Sequence, residues 1–166
     1  KEVRAHLFAI LAITIWGTTF ISTKVLLTDF TPTELFVFRF VIGYVVLLCL
    51  YPKKMDRNKI KDELLFAGAG LSGVTLYFLL ENIALTYTSA SNVGVIVSVA
   101  PFFIAVCSYI FLKEERPTPL FFVGFLFSMM GIVMITFNGA SLNLNPFGDM
   151  LALSAAFCWA IYSMFI

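Results

Sequence analysis

The sequence predicts an all-α protein, a polytopic membrane bundle of six transmembrane helices, and three observations carry that prediction. Six apolar runs follow one another, each close to the ~20 residues that a helix needs to cross a hydrocarbon core about 30 Å thick. Hydrophobic residues make up 60% of the 166, and mean hydropathy is +0.96, which leaves too little polar surface to coat a soluble domain. Nine of the eleven Lys and Arg residues stand at the N-terminus or in every second connection. They are Lys1 and Arg4, then Lys53, Lys54, Arg57, Lys59 and Lys61, then Lys113 and Arg116. The connections 28–33, 88–92 and 138–148 contain neither residue type. Basic residues stay on the cytoplasmic side during insertion, so the N-terminus and the two basic loops are expected to face the cytoplasm.

The elements follow in order. The first span, His6–Leu27, sits behind Lys1 and Arg4 but is about twice the length of a signal-peptide apolar region, so it reads as a helix. The others are Glu34–Tyr51, Glu63–Tyr87, Asn92–Leu112, Thr118–Phe137 and Asp149–Ile166. Backbone groups in hydrocarbon must be paired within the segment, which makes helix the reading for each. Pro32, Pro52, Pro117 and Pro146 lie near helix ends, where a missing N–H costs little. Pro101 falls mid-span and predicts a kink in the fourth helix. Small residues recur at helical spacing on the fourth span (Ser91, Gly94, Ser98, Ala105, Ser108). They recur on the fifth (Gly124, Ser128, Gly131) and in Ala69-x-x-x-Gly73 on the third. In lipid such faces read as close packing, although on the fourth span a cavity wall is an equal reading.

The chain also repeats itself. A shift of 143 residues (152 − 9) lays Ala9, Ala12, Trp16 and Thr19 on Ala152, Ala155, Trp159 and Tyr162. The second copy lies five spans further on, an odd number, so it must enter the membrane from the opposite side. Inverted repeats are a common transporter architecture, with the substrate site between them near the midplane.

These residues resemble a known family. Ile15-Trp16-Gly17-Thr18-Thr19-Phe20 with Lys24 beyond, Phe38-Arg39-Phe40, and the run Asn82 to Ser91 are similar to the EamA-type drug/metabolite transporters. Pro101-Phe102, Glu115-Arg116, Gly124 through Gly131 and Gly148-Asp149 followed by Leu151-Ala152-Leu153 continue the likeness in register. The resemblance implies ten-helix carriers built of two inverted five-helix halves. On that pattern, 1–145 is the first five-helix repeat and 146–166 the first helix of an incomplete second one. A second repeat or a second copy is then needed for a complete carrier, in a bacterial-type cytoplasmic membrane.

The polar residues inside the spans are the candidates for function. Lys24, Arg39 and Glu81 are intramembrane charges, expensive there unless paired or wet. Lys24 is expected to snorkel towards the interface, and Arg39 to clasp Glu81, with Glu81 as a proton-coupling group the other reading. Trp16, Thr19, Tyr77, Asn92, Ser98, Trp159 and Tyr162 are the candidate substrate-binding residues. Trp16 and Trp159 lie at mid-depth, wrong for an interfacial belt, and are expected to meet across the pocket. Aromatic walls without a cluster of Lys or Arg suit a small amphipathic solute better than a sugar phosphate.

Other classes are disfavoured. There is no nucleotide-binding G-x-x-x-x-G-K-[ST] segment, His6 is the single histidine, and Cys49, Cys107 and Cys158 stand alone in separate spans. No cofactor, no metal site, no enzymatic activity and no nucleic-acid surface are expected. The expectation is a secondary-active carrier of small metabolites or drug-like solutes. The alternative is a non-transporting scaffold or accessory subunit that assembles through its small-residue faces.

Overall fold

A computed structural model describes residues 2–52, 60–112, 116–136 and 145–166. Within them the chain forms α1 (Glu2–Leu26), α2 (Pro32–Leu50), α3 (Ile60–Ala69), α4 (Tyr77–Tyr87), α5 (Ala90–Val97), α6 (Ala100–Cys107), α7 (Pro119–Thr136) and α8 (Pro146–Phe165). A π-helical segment, Gly70–Leu76, joins α3 to α4, and a second, Ser108–Leu112, extends α6. Five continuous stretches are long and apolar enough to span a membrane: Ala5–Leu26, Pro32–Leu50, Asp62–Tyr87, Ala90–Leu112 and Pro146–Phe165. α7 contributes a shorter apolar helix, Pro119–Met134, and residues 137–144 lie outside those described. The fold is a polytopic all-α membrane bundle. The basic residues Lys53, Lys54, Arg57, Lys59 and Lys113 also lie outside the described residues.

Local chemistry sets the helix ends. α2 opens with a capping box: Thr31 Oγ1 accepts from the Glu34 N–H at 3.3 Å, and Glu34 Oε2 accepts from the Thr31 N–H at 2.9 Å. Ser89 Oγ accepts from the Asn92 N–H at 3.1 Å and so starts α5. Asn145 Oδ1 accepts from the Gly148 N–H at 3.1 Å and starts α8, with Pro146 in its first turn. The end of α1, the start of α2, the end of α4 and the starts of α5 and α8 lie together, and we call this the Thr88 end.

The fourth span breaks in its middle. α5 stops at Val97 and α6 starts at Ala100, so the break at Ser98 and Val99 comes just before Pro101. Pro101 has no N–H for the Val97 carbonyl, and the Phe102 N–H goes to the Val99 carbonyl at 2.9 Å. The carbonyls of Val97 and Ser98 therefore drop out of the helical ladder.

α8 is the hub. It packs against α3, the first π segment, α4, α5 and α6. Its Ala152, Ala155, Ala156 and Ala160 are fully buried. Small residues on its neighbours receive its rings: a Cβ on Gly73 would overlap the Tyr162 ring, and one on Gly68 would come within 2.8 Å of Phe165. The reverse holds at its start, where a Cβ on Gly148 would lie 2.9 Å from the Tyr87 Cβ. Ala84, Leu85, Val93 and Ala152 form a fully buried core near the Thr88 end, with Phe20, Leu27, Ile96 and Leu151 packed around it. The packing expected of Ala69-x-x-x-Gly73 is thus present. That expected of Gly94, Gly124 and Gly131 is not, since nothing lies within 4 Å of a Cβ built on any of the three.

Candidate functional site

Below that core, α1, α2, α4, the α5–α6 break, α7 and α8 surround a cavity of about 1240 Å³. The lining follows from the sequence pattern of each element. α1 presents Trp16 and Thr19, one turn apart; α4 presents Tyr77 and Glu81, also one turn apart, with Phe78 beside them. α2 supplies Arg39, the break supplies Val97, Ser98 and Pro101, and α8 supplies Trp159. On α7 the small residues Gly124 and Ser128 face this space, with Phe125 between them.

The two tryptophans meet. Their ring centroids are 5.9 Å apart at an interplanar angle of 87°, an edge-to-face pair. Tyr77 stacks obliquely on Trp159 at 5.1 Å, so rings from α1, α4 and α8 form one aromatic corner. Tyr162 lies on the far side of Trp159, at 5.1 Å, against Gly73 and away from the cavity lining. Asn92 does not line the cavity either. Its Nδ2 donates to Thr88 Oγ1 at 2.9 Å and to Asp149 Oδ1 at 2.5 Å, at the Thr88 end. An asparagine three residues past a capping serine looks the same in sequence whether it faces a pocket or a neighbouring helix.

The charged residues depart from their expected pairing. Arg39 and Glu81 do not form an ion pair within 4.0 Å. Arg39 Nη2 instead donates to Thr23 Oγ1 at 2.6 Å, and its guanidinium lies over the Phe78 ring, 5.2 Å from the centroid. Glu81, only 2% exposed, lies one turn beyond Tyr77 on the same face of α4, and both line the cavity with Arg39. Lys24 does not end free at an interface. Its Nζ donates to the carbonyls of Leu85 and, at 2.9 Å, Thr88, which end α4. Cations there satisfy carbonyls that the helix leaves unpaired.

The cavity is rich in acceptors. Thr19 Oγ1 spends its proton on the Trp16 carbonyl at 2.7 Å, and Ser98 Oγ spends its own on the Gly94 carbonyl at 2.7 Å. Each hydroxyl can therefore only accept towards the cavity. Sequence reasoning missed the part played by Gly124 and Ser128, because a stripe of small residues signals a packed face and a cavity face alike. Among the described residues no three His, Cys, Asp or Glu side chains come together as a metal site would need.

The chain matches the EamA-like transporter family over residues 3–137. It is 27% identical over 166 residues to a protein of Archaeoglobus fulgidus described as an uncharacterized transporter, covering 97% of this chain and 56% of the relative. It is 30% identical over 166 residues to the uncharacterized transporter YdfC of Bacillus subtilis, covering 99% of this chain and 54% of the relative. The chain thus spans a little over half the length of these relatives. No solved structure matches it.

Proposed function

This chain belongs to the EamA-like transporter family, and we propose that it forms the larger part of a secondary-active carrier working by alternating access. In this reading 1–145 is the first of two inverted repeats, and 146–166 opens the second. The remainder of that repeat, or a second copy of the chain, completes the carrier. The N-terminus is cytoplasmic, and the Thr88 end faces outward from a bacterial-type cytoplasmic membrane.

The observation that carries this reading is the meeting of Trp16 and Trp159 on one cavity wall. They come from helices at equivalent places in the repeated stripe, and inverted repeats build substrate sites where they face each other. The aromatic corner offers apolar area, while Thr19, Ser98 and Glu81 offer acceptors, a combination that suits a small amphipathic solute. A solute that binds more tightly when the cavity opens to one side shifts the population of that state, and transport needs nothing more elaborate from the pocket.

The test uses the full-length protein with Trp16→Ala and Trp159→Ala made separately. Both variants should run as a single species on gel filtration and lose the thermal shift that a screened solute gives to the unaltered protein. Normal ligand response in both would place the pocket elsewhere. Loss of the folded species in both would make the rings packing residues only.

A further inference from the structure

Lys24, Asn92 and Asp149 have no part in the pocket, yet they make polar bonds that cross between α1, α4, α5 and α8 at the Thr88 end, beside the bond from Asn82 Nδ2 to the Pro32 carbonyl at 3.2 Å. We propose that they form a latch that holds this mouth of the cavity shut and is released each time the mouth opens. The proposal rests on the carrier reading above, since only a carrier has a mouth to open.

The mouth is closed where α1, α4, α5 and α8 meet. The lining of the cavity on α7 runs from Leu120, in its first turn, to Ile132, so the space extends along most of that helix. On α1, α4 and α5 it stops, towards the Thr88 end, at Phe20, Glu81 and Val97, and beyond these lies the buried layer of Leu85, Val93 and Ala152.

The bonds over that layer join four helices. Lys24 ties α1 to the last carbonyls of α4, those of Leu85 and Thr88. Asn92 of α5 takes Thr88 Oγ1 on one side and Asp149 Oδ1 of α8 on the other. Gly148, next to Asp149, lets α8 come down onto Tyr87 and Thr88 closely enough for that bond, because a side chain there would meet both. Thr88 thus takes one tie from Lys24 and one from Asn92.

These ties are of a kind that can be undone. Lys24 and Asp149 are half-buried, at the rim of the bundle. When the helices part, the ammonium, the carboxylate and the freed carbonyls recover hydrogen bonds from water, so opening exchanges bonds rather than abandoning them. The apolar layer beneath has no such exchange and separates only once the ties above it have been released. A static clamp would contain the same bonds, but weakening it would lower stability without changing access to the cavity.

Access is the quantity to measure. In the full-length protein with its other cysteines replaced by serine, Ser98→Cys places a thiol on the cavity wall. A membrane-impermeant maleimide is supplied from the side on which a Ser89→Cys variant reacts. With Lys24 intact, position 98 should label slowly. Lys24→Met should speed labelling severalfold, and Lys24→Arg, which can still donate to both carbonyls, should leave it slow. If Lys24→Met does not accumulate as a folded species, Asn92→Ala cuts the second tie and should give the same increase. Labelling that is unchanged in the folded variant overturns the latch. The carrier reading fails separately, through retained ligand response in both tryptophan variants, so a carrier without this latch and a latch without that pocket give different results.

Discussion

α7 and α8 are apolar helices of 18 and 20 residues, and each carries small residues at helical spacing. Their fates differ. On α8 four alanines are fully buried, and Tyr162 and Phe165 seat on Gly73 and Gly68 of the third span. On α7 no described residue is buried, and the space around Gly124 and Gly131 is open to at least 4 Å. The distinction lies in the neighbours. Without a hydrophobic driving force between helices in lipid, association needs close van der Waals fit. The alanines of α8 face a bulkier surface that includes Leu85 and Val93, while its own rings face glycines. The small face of α7 meets a cavity. A stripe of small residues thus permits close approach, and the surface opposite decides whether it happens.

Substitutions can break or sharpen that contrast. The largest effect is expected for Gly73→Leu, which puts a branched side chain where the Tyr162 ring already lies; the monodisperse peak on gel filtration should be lost. Ala156→Leu comes next. Overpacking a filled interface costs about 1–3 kcal/mol, so its thermal midpoint should fall while some folded protein remains. Gly131→Leu on α7 should change stability by no more than ~0.5 kcal/mol, as at an unpacked surface. A fall as large as that of Ala156→Leu would show that this face of α7 is covered by protein beyond the described residues, and the contrast would then be one of partners alone.

Much of the fold could be read from the sequence because hydrophobic length is a one-dimensional property. The spans expected from apolar runs agree with the helices to within a few residues where both are described. The closeness of Trp16 and Trp159 was expected from the stripe repeated in the sequence, and the two rings do meet. Choices among polar partners were not legible. Arg39 could reach Glu81 or Thr23, and its distance along the chain from each says nothing about which is nearer in the bundle. Tyr162 lies one turn from Trp159 of the cavity lining, but Gly73 of a neighbouring helix claims it first, and Asn92 is taken by Asp149. The break at Ser98 and Val99 follows from Pro101 only when the hydrogen bonds are counted residue by residue.

The π-helical segment Gly70–Leu76 has a consequence of its own. Each wide turn holds one residue more than an α-helical turn would, as the Thr75 hydroxyl shows by reaching back five residues to the Gly70 carbonyl at 3.3 Å. The segment therefore acts as a phase offset between the two halves of the third span. If the same residues ran as continuous α-helix with none deleted, the extra residue would add its own turn, and everything on one side would rotate by about 100° relative to the other. With α3 held fixed, Tyr77 and Glu81 would swing together out of the cavity wall, and the aromatic corner would lose one of its three rings. The direction in which the polar face of α4 points is thus encoded upstream, in a stretch that contributes no side chain to the cavity lining.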